Sequence, residues 1–129
     1  MAVDMNMNIL IVDDSNTMLR IIRNLLKQLG FNNVDEATDG TMALDKIKSK
    51  SYGLVISDWN MEPMTGLELL KQVRSSNDNF KNIPLIMVTA ESKTENVIAA
   101  KQAGVNNYIV KPFNAETLKS KMASVLGDF

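Results

Sequence analysis

Ile9-Leu10-Ile11-Val12-Asp13-Asp14-Ser15 sets four consecutive apolar residues against two acids and a hydroxyl. A short apolar run with no polar alternation suits a strand covered on both faces, as in a parallel sheet. The two acids then stand at its carboxyl end. Three further runs repeat the arrangement: Leu54-Val55-Ile56 leads to Asp58, Leu85-Ile86-Met87-Val88 to Thr89, and Tyr108-Ile109-Val110 to Lys111. A weaker fifth candidate spans Val34 to Ala37.

Between these runs the apolar period becomes that of a helix. Met18, Ile21, Ile22, Leu25, Leu26 and Leu29 are expected to form one stripe, ended by Gly30. Shorter helices are expected over Met42 to Ile47 and Leu67 to Val73, another from Thr94 to Ala103, and a last one with Ala115, Leu118, Met122, Val125 and Leu126 on one side. Thr65-Gly66-Leu67-Glu68 and Ser92-Lys93-Thr94-Glu95 read as capping boxes, and Asp39 and Asn114 as N-caps. Strand and helix thus alternate five times, which right-handed crossovers wind into a parallel sheet with helices on both faces. In such α/β sheets the functional crevice lies outside the carboxyl ends of the strands.

The 129 residues suit one domain over positions 1–129. A net charge of −1 gives no electrostatic reason to expect nucleic acid or an anionic membrane as partner. No apolar run reaches the roughly 18–20 residues that span a bilayer, and Met1 to Asn8 lack the features of a signal peptide, so a cytoplasmic monomer is expected. The chain has no cysteine and no histidine. Thiolate chemistry, Ser-His-Asp catalysis and His- or Cys-ligated metals are excluded together.

What remains at the crevice is Asp13, Asp14, Asp58, Thr89 and Lys111. Carboxylates so close repel one another by roughly 4 kcal/mol per pair at 4 Å and an effective dielectric of about 20. A hard dication with oxygen ligands would compensate, and Mg²⁺ fits better than zinc where nitrogen and sulfur donors are lacking. Asp14 and Asp58 are the expected direct ligands, with the backbone carbonyl of Asn60, while Asp13 acts through water. A phosphoryl group transferring to a carboxylate spreads charge over three equatorial oxygens, which the metal, the Lys111 ammonium and the Thr89 hydroxyl can each meet. Asp58 is then the nucleophile. Taken singly these residues read blandly, as a solvated turn, a cap, a strand-end hydroxyl and a surface lysine. Their joint placement after four strands makes the case.

The segments ILIVDDS (9–15), DWNM (58–61), GLELLK (66–71), MVTAESK (87–93) and AGVNNYIVKPF (103–113) resemble the receiver domains of two-component response regulators, above all the CheY-type chemotaxis regulators. The resemblance covers roughly residues 8 to 127. It implies a flavodoxin-like (βα)5 fold with strand order 2-1-3-4-5. It also implies that Asp58 is the phosphoacceptor, with Asp13, Thr89 and Lys111 assisting, that Asp13, Asp14, Asp58 and the Asn60 carbonyl hold Mg²⁺, and that Thr89 and Tyr108 form the switch. Tyr108 alone would read as an aromatic half-buried at a strand end, and Trp59 as an apolar cover over the site. The resemblance further implies a cis peptide before Pro112, a histidine kinase as phosphodonor, and an output face made by the fourth helix, fifth strand and fifth helix. The flagellar motor switch is the implied target, with a phosphate sink or stress relay as the alternative role. Such a protein catalyses only its own phosphotransfer and dephosphorylation, and is not otherwise an enzyme.

Asn60 and Glu91, each two residues beyond a site residue, are expected to orient the hydrolytic water and so set the phosphoryl lifetime. One stretch departs from the family. Met61-Glu62-Pro63-Met64 carries its proline one residue late, with an acid in the usual place, which puts the loop's shape and its influence on metal affinity in question. Two other aspartate- or phosphate-handling classes fit less well. A flavodoxin-like FMN carrier would not put Asp13-Asp14 where phosphate binds, and a haloacid-dehalogenase-type phosphatase would need Asp-x-Asp after the first strand.

Overall fold

A computed structural model describes residues 3–62, 64–76, 79–90, 94–111, 113–127 and 129. The elements run β1 (Ile9–Val12), α1 (Asn16–Gln28), β2 (Val34–Ala37), α2 (Gly40–Ser49), β3 (Leu54–Asp58), α3 (Gly66–Arg74), β4 (Leu85–Thr89), α4 (Thr94–Ala103), β5 (Asn107–Val110) and α5 (Ala115–Leu126). All strand pairs are parallel, in the order β2-β1-β3-β4-β5.

Alternating side chains explain the continuous apolar runs. Ile9 and Ile11 enter a core with Leu54, Ile56, Ile86, Val88 and Ile109 beneath α1 and α5, whereas Leu10 and Val12 join Val55, Leu85 and Met87 under α2 and α3. With both faces of β1, β3 and β4 buried, a polar alternation would leave unpaired groups in one core or the other.

On α1 the inward face is Leu19, Ile22 and Leu26, with Met18, Leu25 and Leu29 partly buried against the same core. This corrects the expected stripe. Ile21 is 44% exposed, because two residues turn a helix by about 200° and set Ile21 opposite Leu19. Gly30 and Gly104 follow α1 and α4 with φ of +101° and +97°, the left-handed region that ends a helix without a Cβ penalty.

The expected N-caps form. The Met42 and Thr117 amides donate to Asp39 Oδ1 at 2.8 Å and Asn114 Oδ1 at 2.9 Å, and Ser15 caps α1 in the same way. At α3 the Glu68 amide donates to Thr65 Oγ1 at 3.1 Å, while the Glu68 carboxylate accepts from that hydroxyl at 3.3 Å. The second expected capping box, at Ser92, lies outside the described residues.

The far ends of the chain's loops are tied by long polar side chains. The Arg74 guanidinium donates to Gly104 O, Lys81 O and Asn106 Oδ1, joining the end of α3 to the turns before β4 and β5. At the β2 edge, Lys50 and Tyr52 both donate to Asp35 Oδ2 at 2.8 Å, which holds that carboxyl below its ordinary value.

Candidate functional site

Register brings the polar residues to one end of the sheet. Val12 is level with Ser57, Asp58 with Val88, and Thr89 with Val110, so Asp13, Asp58, Thr89 and Lys111 leave or end four neighbouring strands side by side. Backbone bonds fix the spacing: the Asp13 amide donates to Ala37 O, Trp59 to Val88 O, and Lys111 to Thr89 O at 2.7 Å.

Asp13, Asp14 and Asp58 each offer a carboxylate oxygen, all within 4.8 Å of one another. Asp13 and Asp58 are buried, at 1% and 5% exposure, while Asp14 faces solvent. Asp13 Oδ1 accepts from the Ser15 amide at 2.9 Å. Lys111 Nζ stands 3.2 Å from Asp58 Oδ1 and 3.5 Å from Asp13 Oδ2. Burial pushes the Asp13 carboxyl up, the Asp58 charge adds to this, and the Ser15 amide and Lys111 oppose it. Three acids against one ammonium leave an excess of negative charge in a partly buried mouth. An all-oxygen donor set with that excess fits a hard divalent cation. Asn60 is exposed and lines an open cleft of about 370 Å³ with Asp14, Met61, Glu62 and Thr65.

Thr89 is buried at the end of β4, and Tyr108 is half-buried on β5. Between them and α4 lies a narrow cleft lined by Trp59, Met87, Thr89, Asn96, Val97 and Ala100 together with Tyr108. Its volume of about 10 Å³ admits at most one water. Trp59 therefore lies along this cleft, beside Thr89 and Tyr108. Glu91 and Pro112 lie outside the described residues. The sequence marked Gly66 only as part of a capping box and of the GLELLK segment; its amide donates to Trp59 O at 2.9 Å, and its missing Cβ lets α3 start against the Asp58 carbonyl.

The model of the response regulator receiver domain matches residues 9–123. This chain belongs to the response regulator receiver family. It is 53% identical to the chemotaxis protein CheY-3 of Vibrio cholerae over 120 residues, covering 93% of this chain and 92% of that one. Among solved structures, Vibrio cholerae CheY4 superposes with a TM-score of 0.87 at 36% identity over 94% of this chain and 99% of its own. The receiver domain of the sensor histidine kinase PA1611 from Pseudomonas aeruginosa, with a magnesium ion coordinated in its active site cleft, matches with a TM-score of 0.85 at 25% identity, over 95% and 99% of the two chains. The flavodoxin-like CheY-type fold expected from the sequence is the fold observed, and membership of this family sets aside the FMN-carrier and dehalogenase-type readings. Among the described residues of this receiver domain, no helix is long and apolar enough to cross a membrane.

Proposed function

We propose that this receiver domain is a phosphoacceptor switch of chemotaxis, taking a phosphoryl group onto Asp58 from a histidine kinase and signalling through a protein contact. The observation that carries this reading is the meeting of Asp13, Asp14, Asp58 and Lys111 at the carboxyl ends of neighbouring strands. In the transfer, an Asp58 carboxylate oxygen forms a bond to phosphorus as the bond from phosphorus to the donor's imidazole nitrogen breaks. The Lys111 ammonium, already 3.2 Å from Asp58 Oδ1, is within reach of an oxygen carried on that carboxylate. The Thr89 hydroxyl donates to a second oxygen. Asp14, Asp58 and the Asn60 carbonyl would hold Mg²⁺, with Asp13 acting through water, and the ion would supply the positive charge that lets the clustered acids and the phosphoryl oxygens coexist. Likeness to a receiver with magnesium in its cleft and the oxygen-only donor set both support this ion.

Drawing Thr89 toward the phosphate vacates space for the Tyr108 ring and remodels the face formed by α4, β5 and α5. The relatives named as chemotaxis proteins support a chemotaxis output, for which the flagellar motor switch is the proposed target. The unit is residues 1–129, acting in the cytoplasm as a monomer. A pull-down tests the output. The beryllofluoride complex, which mimics the phosphoryl group, should retain a flagellar switch protein that the unmodified chain releases. Equal retention by both forms overturns the chemotaxis output.

Magnesium should change Trp59 fluorescence, because the indole follows Asp58 directly in the chain and lines a cleft with Thr89. Asp14→Ala removes an expected ligand that is exposed and structurally replaceable. Its titration should flatten or shift to at least ~10-fold higher magnesium. A titration indistinguishable from the parent's removes Asp14 from the metal site.

Asn60 and Glu91 set the lifetime of the phosphoryl group in this reading. A small amide and a flexible carboxylate can steer the attacking water, whose oxygen bonds to phosphorus as the Asp58 carboxylate departs. Asn60→Met with Glu91→Leu should slow dephosphorylation by about 10-fold or more while leaving magnesium affinity nearly unchanged, since Asn60 would bind through its backbone. Decay at the parent rate in that double variant removes both side chains from lifetime control.

A further inference from the structure

We infer that Lys121 is a positioning residue for Tyr108, its ammonium holding the ring on the surface side of the cleft and opposing its entry. This rests on Tyr108 being the switch aromatic proposed above. Lys121 Nζ lies over the Tyr108 ring, 5.3 Å from its centroid. That is within the distance at which a cation is attracted to the negative face of an aromatic ring.

The placement of the ammonium is built by polar steps between β5 and α5. Asn107, the residue before Tyr108, accepts from the Tyr108 amide through Oδ1 at 2.8 Å. Its Nδ2 donates to Ser124 Oγ at 2.6 Å, and that hydroxyl in turn donates to Lys121 O at 2.7 Å. The backbone of Lys121 is thereby tied to the strand residue adjoining the ring it covers.

The cleft beside the ring is lined from β3–α3, β4 and α4, through Trp59, Met87, Thr89, Asn96, Val97 and Ala100, and α5 contributes nothing to it. A ring moving into this cleft therefore moves away from α5 and from the ammonium. The cleft is also closed to anything larger than a water. Outward ring, closed cleft and stacked ammonium are one state, and loss of the charge favours the other. A contact of this kind at a half-exposed site corresponds to a roughly two- to five-fold change in the ratio of the two ring positions.

Tyr52 and Tyr108 are the chain's two tyrosines, so fluorotyrosine labelling yields two ¹⁹F resonances, with Tyr52 as an internal report of the fold. In the parent, magnesium with beryllofluoride should move the Tyr108 signal and leave Tyr52 in place. Lys121→Met keeps the length of the side chain and removes the charge. Its Tyr108 signal should lie displaced toward the beryllofluoride position before any is added, and half-saturation should need about two- to five-fold less beryllofluoride, because a ligand binding a minor state gains by the factor that state gains. Lys121→Arg, which keeps the cation, should match the parent. A Tyr108 signal identical in parent and Lys121→Met overturns the proposal, as does an equal displacement in Lys121→Arg. A parent signal that ignores magnesium and beryllofluoride overturns the switch role of Tyr108 itself, and with it this proposal.

Discussion

Incubated with magnesium and a small acyl-phosphate donor, the parent chain should gain one phosphoryl group, and Asp58→Asn none. The nucleophile is a carboxylate oxygen carrying half a negative charge and free to share its electrons with phosphorus. An amide oxygen has no such charge, and the rate should fall by at least ~10²-fold. The neighbouring acids cannot take over. Asp13 is 1% exposed, its Oδ1 is occupied by the Ser15 amide and its Oδ2 faces Lys111. Asp14 is exposed, but the ammonium that would meet the transferred oxygens sits 3.2 Å from Asp58.

Misfolding will not imitate this result. Neutralising Asp58 relieves repulsion with two nearby acids, a gain of up to about 4 kcal/mol for each pair at 4 Å. It weakens one ammonium contact in exchange. Urea melts of Asp58→Asn should therefore show stability no lower than the parent's. Intact-mass measurement reads the labelling, and full stoichiometry in Asp58→Asn would sink the assignment of Asp58 as acceptor.

The sequence made the sheet legible because a buried parallel strand leaves little choice of residue. Ile9 to Val12 must satisfy two cores at once, and the acids that follow are pushed to one end by the crossover rule. The acidic site was legible for the same reason, since residues after neighbouring parallel strands must converge. The helices were less transparent. Ile21 shares its chemistry with Ile22, and only the packing of α1 on the sheet decides that Leu19 and not Ile21 turns inward. Contacts between elements without a common period left no trace at all. Lys121 and Tyr108 lie thirteen positions apart across a strand, a turn and a helix, and nothing in their spacing announces a stacked pair. The same holds for Arg74 and its three acceptors, which come from turns on either side of α4 and β4.

Gly66 is the position where the fold and the site share one atom's worth of space. It opens α3 directly after the Thr65 cap, and its φ is not of the kind that demands glycine. On helix propensity alone Gly66→Ala would stabilise, by about 0.4–1 kcal/mol, through a less flexible unfolded chain. The surroundings decide otherwise. An added Cβ would fall onto the carbonyl oxygen of Asp58, 3.1 Å from the Asp58 carbonyl carbon and 2.7 Å from Met87 Sδ. Met87 is fully buried and Asp58 O belongs to the strand backbone and accepts from Ser57 Oγ, so neither can yield cheaply. Overpacking of this kind costs about 1–3 kcal/mol, which exceeds the propensity gain. Gly66→Ala should therefore lower stability by about 1–2 kcal/mol in urea melts. The strain falls on the residue that carries the proposed acceptor carboxylate, so magnesium affinity and phosphorylation rate should drop with it. Thr65→Ala provides the contrast. It removes the cap of the same helix at a similar cost of about 1 kcal/mol, and leaves the Asp58 carbonyl untouched. Equal loss of stability with magnesium affinity lost only in Gly66→Ala would locate the effect at the acceptor strand. A Gly66→Ala variant as stable and as tightly magnesium-binding as the parent would mean that α3 can withdraw from β3 without disturbing the site.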